Sequence, residues 1–276
     1  SFLEENLVVG TIILSNEGIN GTCSLDQDKT QNVKSFLQQK FRLTSSDFKE
    51  NLVNSNVFKK LSVKVKKEIV TLGLPEIDPT AIVGTYIEPE EWDSFISKKE
   101  VVTIDTRNDF EVKLGTFEGS INPQTVSFHE FPEWWKDKRK AFKNKKIAMF
   151  CTGGIRCEKA SSFLIKSGFE EIYQLDGGII SYLKETQNNS KKWKGECFVF
   201  DDRVSLKEDL SRGHYEQCFA CRAAVSENDK KSGMYKKGVS CPKCSKITSN
   251  KKKKRFEERT RQIEIAQKKG IKHLGS

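Results

Sequence analysis

Cys151 closes a short apolar run and opens the string Cys151-Thr152-Gly153-Gly154-Ile155-Arg156-Cys157-Glu158-Lys159. A thiol followed by two glycines, a cation and a second thiol has the parts needed for a stabilised sulfur nucleophile. Backbone N–H groups of residues 152 to 157, contributed by Thr152, Gly153, Gly154, Ile155 and their neighbours, would converge on the sulfur. They would favour a thiolate or persulfide anion and lower the thiol pKa. On this reading Gly153 and Gly154 supply the positive φ angles of a curling backbone. Arg156 stands as a cation at the rim, and a helix starts near Cys157. The competing reading of Cys151 is a packed core thiol, which would need neither the glycines nor the arginine. Cys157 reads either as a resolving thiol, cycling with Cys151 through sulfenic acid or disulfide, or as a small packed helix starter.

A second cysteine pattern lies downstream. Cys218-x2-Cys221 and Cys241-x2-Cys244 are separated by 19 residues, a spacing that predicts a four-thiolate zinc site, with four unligated thiols as the alternative. Gly238 and Pro242 suit a knuckle turn, and a unit this poor in apolar residues would owe much of its stability to the metal. Cys23 and Cys197 have no partner pattern and read as packed thiols. His129, His214 and His273 show no ligand spacing. Beyond the cysteines, Lys251-Lys252-Lys253-Lys254-Arg255 is an unbroken run of cations, followed by Arg259, Arg261, Lys268, Lys269 and Lys272. Residues 191–276 hold 23 Lys+Arg against 11 Asp+Glu, a net +12 within a chain of net +10, whereas residues 1–190 hold 25 against 27. Such segregation suits contact with nucleic-acid phosphates, or else a solvated tail, and charge alone does not choose RNA over DNA.

The elements that position these groups follow from patterning. The 276 residues are 31% charged and 36% hydrophobic. No apolar run approaches the roughly 18–20 residues needed to span a bilayer, so no membrane partner is expected. The start Ser1-Phe2-Leu3-Glu4-Glu5 has neither a basic nor an apolar signal segment and suggests a trimmed, cytoplasmic chain with reduced cysteines. Punctuation near Leu74 to Pro79 and near Asn188 to Lys191 divides it into units at 1–75, 82–187 and 191–276. In the first, Val8 to Leu14, a turn at Ser15 to Gly21, and Thr22 to Leu25 predict a hairpin. Thr30 to Phe41 carries Val33, Phe36, Leu37 and Phe41 at helical spacing, and Leu61-Val63-Val65 alternates as a half-exposed strand. This is an α+β, ferredoxin/acylphosphatase-like unit apparently missing its first strand. The second unit alternates strands at 101–105, 146–150 and 172–175 with a helix over 158–167 closed by Gly168, and Gly177-Gly178 turns into a further helix. That pattern predicts a parallel α/β sheet. Asn16, Glu17, Asn20, Lys64, Lys66 and Lys67 form either an RNA surface or turn chemistry beside a solvated strand. Trp134 and Trp135 fit packing better than base stacking.

The Cys151 loop resembles the active-site loop of the rhodanese family, Cys-x-x-Gly-x-Arg, over roughly residues 82 to 187. Asp105-Thr106-Arg107 is similar to that family's Asp-x-Arg element, whose Asp105 and Arg107 read as a folding ion pair or, for Arg107, a substrate contact. Gly119-Ser120-Ile121 stands where rhodaneses usually have Gly-His-Ile. Phosphatases of similar fold place five residues between Cys and Arg; four stand here, which suits a sulfur atom. Asn16-Glu17-Gly18-Ile19-Asn20-Gly21, Asp105-Thr106-Arg107-Asn108, the string from Cys151 to Lys159, and Gly177-Gly178-Ile179-Ile180 together resemble the tRNA uridine hydroxylases. That resemblance implies oxygen-dependent 5-hydroxylation of the wobble uridine, with tRNA as partner, molecular oxygen as co-substrate and no DNA expected. Two other classes compete: a sulfurtransferase passing persulfide to RNA or protein, and a non-enzymatic RNA-binding adaptor.

Overall fold

The structure, a computed structural model, describes residues 1–186, 189 and 192–271. The boundary residues 187 and 191, with Lys272 and His273, lie outside the described residues. Two compact units emerge, residues 1–199 with 206–211, and 200–205 with 212 onward. No helix among the described residues is long and apolar enough to cross a membrane.

The larger unit begins with α1 (Phe2–Glu5), β1 (Val9–Ser15), β2 (Gly18–Ser24), α2 (Thr30–Phe41) and β3 (Leu61–Val65). The expected hairpin forms, with Ser15 opposite Gly18 across the turn Asn16-Glu17. β3 pairs parallel to β1, giving the order β2-β1-β3. Val8, Ile12 and Val33 are buried, and Phe36 stacks on Phe2 at 4.2 Å between ring centroids. One expectation fails: β3 is an edge strand on which Val63 and Val65 are 49% and 82% exposed, so its alternation does not mark a buried face. The central position, which buries side chains, belongs to β1.

Next come β4 (Thr85–Ile87), α3 (Pro89–Ile96), β5 (Val101–Asp105), α4 (Asp109–Val112), β6 (Gly115–Phe117), α5 (Phe131–Lys138), β7 (Lys146–Phe150), α6 (Ile155–Lys166), β8 (Ile172–Leu175), α7 (Gly178–Thr186) and β9 (Trp193–Gly195). β4-β8-β7-β5 make an all-parallel sheet, and β6 pairs antiparallel with β9. β7 runs through the middle, which is why Ile147, Ala148, Met149 and Phe150 are fully buried, as strands covered on both faces require. One cluster gathers Trp135, Ile147, Met149, Cys157 and Leu164; the other gathers Trp92, Phe117, Phe150, Ile179 and Tyr182. Trp135 is buried against Phe142 and Phe169, so the tryptophan pair serves packing. Because the strands are parallel, their C-terminal ends share one edge, where ligands bind in open α/β sheets. Cys151 follows β7 at that edge.

The smaller unit holds the paired segments Glu216–Gln217 and Ala224–Val225, α8 (Glu227–Lys231) and α9 (Asn250–Lys268). Ser226 and Ser249 cap the two helices through their hydroxyls. Its buried cluster is Cys218, Val225, Cys241 and Cys244, with Ala220 and Tyr235 packed against it. A core in which three of four buried members are cysteines has little apolar surface to hide.

Candidate active site and metal centre

The loop after β7 curls back over its own first side chain. Cys151 is 1% exposed, and Gly154 N–H donates to its Sγ at 3.1 Å. Gly154 has φ +100° and stands just before α6, so the helix begins at Ile155 rather than near Cys157. Gly153 is absent from the positive-φ residues, and a Cβ there would meet nothing within 4 Å; of the two glycines only Gly154 answers the conformational demand read from the sequence. The loop is held from behind by the start of α7, where Ile179 N–H donates to Cys151 O at 2.9 Å and Ile180 N–H to Thr152 O at 3.1 Å. Gly178, at φ +67°, permits this approach, since a Cβ on it would lie 2.5 Å from Cys151 O.

Burial alone would push the Cys151 thiol up. The Cys157 side-chain hydrogen bond, the Arg156 guanidinium and the Arg156 and Cys157 backbone N–H groups outweigh it and hold Cys151 well below the ordinary thiol range. Cys157 moves the other way, raised by burial and by its hydrogen bond and proximity to Cys151, and its Sγ lies 3.5 Å from Thr106 Oγ1. The surroundings of the two thiols therefore differ: loop N–H groups and Arg156 favour negative charge on Cys151, and burial beside it disfavours charge on Cys157. Of the expected cradle residues Thr152, Gly153, Gly154 and Ile155, Gly154 donates its N–H to the sulfur, and the other N–H groups on it come from the next residues, Arg156 and Cys157.

Arg156 is not at the rim. Only 9% of it is exposed, and it forks onto Glu111, Nη1 to Oε2 at 2.7 Å and Nη2 to Oε1 at 2.8 Å, with Thr152 Oγ1 3.4 Å from Nη2. Burial drives the guanidinium inward only because this carboxylate meets it; an unpaired cation would not go there. Glu111 also accepts from Asn108 N–H at 3.0 Å. Sequence reading passed over Glu111, which is 45 residues away; the signal was an acid set between the apolar residues Phe110 and Val112 of α4. Asp105 and Arg107 are fully buried and joined, Nε to Oδ1 at 2.9 Å and Nη2 to Oδ2 at 2.7 Å, and Arg107 also donates to Gly115 O. Arg107 is a folding residue, sealed from any substrate.

A second omission is Lys159, fully buried two residues beyond Cys157. Its Nζ lies 2.5 Å from Glu17 Oε1 and 2.6 Å from Glu68 Oε2. Glu17 also accepts Ile69 N–H and Glu68 accepts Leu72 N–H, so the hairpin turn, the segment after β3 and α6 are tied through one ammonium. Glu17 and Lys159 both occur in the strings compared above, yet only the fold brings them together. Lys64, Lys66 and Lys67 are exposed on and after β3.

In the smaller unit the four sulfurs of Cys218, Cys221, Cys241 and Cys244 lie within 4.8 Å of one another. Cys221–Cys241, Cys241–Cys244 and Cys218–Cys244 are separated by 3.7, 3.8 and 4.0 Å. A tetrahedron with zinc–sulfur bonds of about 2.3 Å has edges of about 3.8 Å, so the four residues fit a metal such as zinc. His214 is not a member of the cluster. α9 meets both knuckles: Arg259 Nη2 donates to Phe219 O at 3.0 Å and Gly238 O at 3.2 Å. Lys251, Lys252, Lys253, Lys254 and Arg255 occupy the first turns of α9, where no acid balances them against the helix dipole.

Comparison with known proteins follows this division. Residues 1–69 match the UPF0176 acylphosphatase like domain, and residues 88–185 match the rhodanese-like domain family. Among solved structures, a rhodanese-related protein from Thermoplasma volcanium is 31% identical over 37% of this chain and 92% of that one, with a TM-score of 0.31. A rhodanese-like domain protein from Staphylococcus aureus is 23% identical over 36% and 90%, with a TM-score of 0.30.

Proposed function

We propose that this chain, which joins a UPF0176 acylphosphatase-like domain to a rhodanese-like domain, is a tRNA-modifying enzyme whose reactive centre is Cys151. The observation that carries this is the loop that curls over Cys151 and donates the Gly154 N–H to its Sγ at 3.1 Å, with the Arg156 charge favouring the thiolate. In this reading Cys151 is the nucleophile, and Arg156, fixed by Glu111, stabilises negative charge on sulfur. Cys157 is the neutral donor beside it. The reaction is the oxygen-dependent 5-hydroxylation of a wobble uridine implied by the resemblance: one atom of molecular oxygen replaces the C5 hydrogen as hydroxyl, and the other leaves as water at the expense of a two-electron reductant supplied from outside the chain. The cations of α9 hold the RNA backbone, which offsets the repulsion of five like charges at a helix N-terminus.

The rhodanese-like domain favours a second reading, sulfurtransfer. There the Cys151 thiolate attacks the outer sulfur of a persulfide donor. A new S–S bond forms, the donor's S–S bond breaks, and its electron pair leaves with the donor thiolate. Accurate-mass and ultraviolet analysis of tRNA nucleosides from cells lacking the protein separates the readings. Loss of a 5-hydroxyuridine supports hydroxylation, loss of a thiolated nucleoside supports sulfurtransfer to RNA, and an unchanged nucleoside profile refutes both as reactions on tRNA.

A further inference from the structure

Beside the Cys151 loop lies a polar cleft of about 270 Å³, walled by Phe48, Lys49, Glu50 and Asn51 on one side and by Ile180, Ser181, Lys184 and Glu185 of α7 on the other. The α7 residues, spaced i, i+1, i+4 and i+5, form one helical face. This wall is continuous with the reactive loop, because Ile179 and Ile180 N–H groups bind the carbonyls of Cys151 and Thr152. Lys49 Nζ donates to Ser181 Oγ at 3.2 Å. A Cβ on Gly177 would fall 1.9 Å from that ammonium, so Lys49 lies directly over the turn that supports the loop.

The charges in the cleft are unevenly partnered. Lys34 engages Glu50 in an ion pair and also lies over the Phe48 ring, 5.4 Å from its centroid. Lys49 has only the neutral Ser181 hydroxyl as a hydrogen-bond partner, and Lys184 joins no ion pair, among the described residues. Two cations outside any ion pair among the described residues, an aromatic ring and the Asn51 amide thus face one recess next to the reactive loop, with Glu158 within electrostatic reach of Lys49 and the Glu50 and Glu185 carboxylates on the same walls. Cations serve a phosphodiester, the ring a base face, and the amide a ribose or base edge.

We propose that this cleft is an RNA subsite, in which Lys49 and Lys184 hold a backbone phosphate and Phe48 packs on a base of the strand flanking the nucleotide presented to Cys151. The assignment rests on the RNA-substrate reading above and adds to it that the acylphosphatase-like domain, through the segment after α2, forms part of the substrate site.

The test is binding of a fluorescent single-stranded anticodon-loop RNA to the full chain by anisotropy across a salt series. Lys49→Gln with Lys184→Gln should weaken binding on the order of tenfold and reduce the log–log salt slope by about 0.7, the value for the one single-strand phosphate the two lysines hold. Phe48→Ala should weaken binding by a similar factor with the slope unchanged. Restoring the charge as Lys49→Arg in the double variant should recover part of both affinity and slope. The control is Lys140→Gln with Lys143→Gln, which removes the same charge at exposed positions after α5. Cleft and control variants with equal affinity and slope would overturn the subsite while leaving the RNA reading intact. A wild-type chain that binds no RNA would overturn both.

Discussion

Replacing Glu111 by glutamine preserves the shape of the side chain and removes its charge. In the wild-type protein this fully buried carboxylate accepts both Arg156 nitrogens at 2.7 and 2.8 Å. After the change Arg156 stays enclosed with one amide oxygen and the distant Thr152 hydroxyl as acceptors. Breaking a buried pair from one side costs about 3–5 kcal/mol, since the remaining cation loses its compensation. At roughly 2–4 °C per kcal/mol for a unit of this size, the melting temperature should fall by on the order of 10 °C at neutral pH. The pH dependence gives a second constraint. Burial would raise Glu111, but the charge and hydrogen bonds of Arg156, with Arg107 behind it, hold its carboxyl below the ordinary range. A depressed carboxylate pKa contributes stability above the unfolded value of about 4.3, and that contribution is lost as pH falls through the folded value. The gap between wild type and Glu111→Gln should therefore be full at pH 7 and close progressively below about pH 4. Melting followed by circular dichroism across this range is the assay. A variant that melts within about 2 °C of wild type at neutral pH, against the several degrees expected, would refute the claim that Glu111 holds Arg156 in place.

Cys151→Ala should abolish activity with the melting temperature little changed, whereas Cys157→Ala should leave partial activity. Iodoacetamide should modify Cys151 at pH values well below the ordinary thiol pKa of about 8.5, because a lowered pKa keeps the thiolate populated as pH falls. Cys23 and Cys197, which burial pushes up to about 11 and about 12, should stay unmodified in mass-mapped digests under the same conditions. Elemental analysis of protein purified without chelator should find about one zinc per chain. Removing it should free four titratable thiols and expose α9 to proteolysis, since Arg259 anchors that helix to carbonyls of both knuckles; protection of α9 unchanged by chelation would count against this coupling. Deleting residues 251–276, which carry ten Lys+Arg and three Asp+Glu, should lower tRNA affinity by an order of magnitude or more at moderate salt and flatten its salt dependence. Equal affinity and slope would make the segment a solvated extension.

Local chemistry was readable wherever the relevant partners are close in the chain. The Cys151 string, the C-x2-C pairs, the hairpin at Asn16-Glu17, the buried strands at 101–105 and 146–150 and the Gly177-Gly178 turn depend on interactions within a few residues, and their side-chain types report them directly. Arg156 could not be placed this way. Whether a guanidinium faces solvent or the interior depends on a carboxylate that α4 brings from 45 residues away, and the same residue reads equally well as a rim cation until Glu111 is in position. Lys159 is a clearer case: a lysine on a helix is ordinarily exposed, and only Glu17 and Glu68, delivered by the hairpin and by the segment after β3, make its burial affordable. The edge position of β3 and the cleft around Lys49 likewise depend on which strand or helix lies alongside. Sequence alone determined which residue types offer a nucleophile or a metal ligand, because those capacities belong to residue types and short spacings. Tertiary structure decided which charges are paired, which are buried and which remain available, because desolvation and Coulomb energies depend on distances that only the folded chain sets.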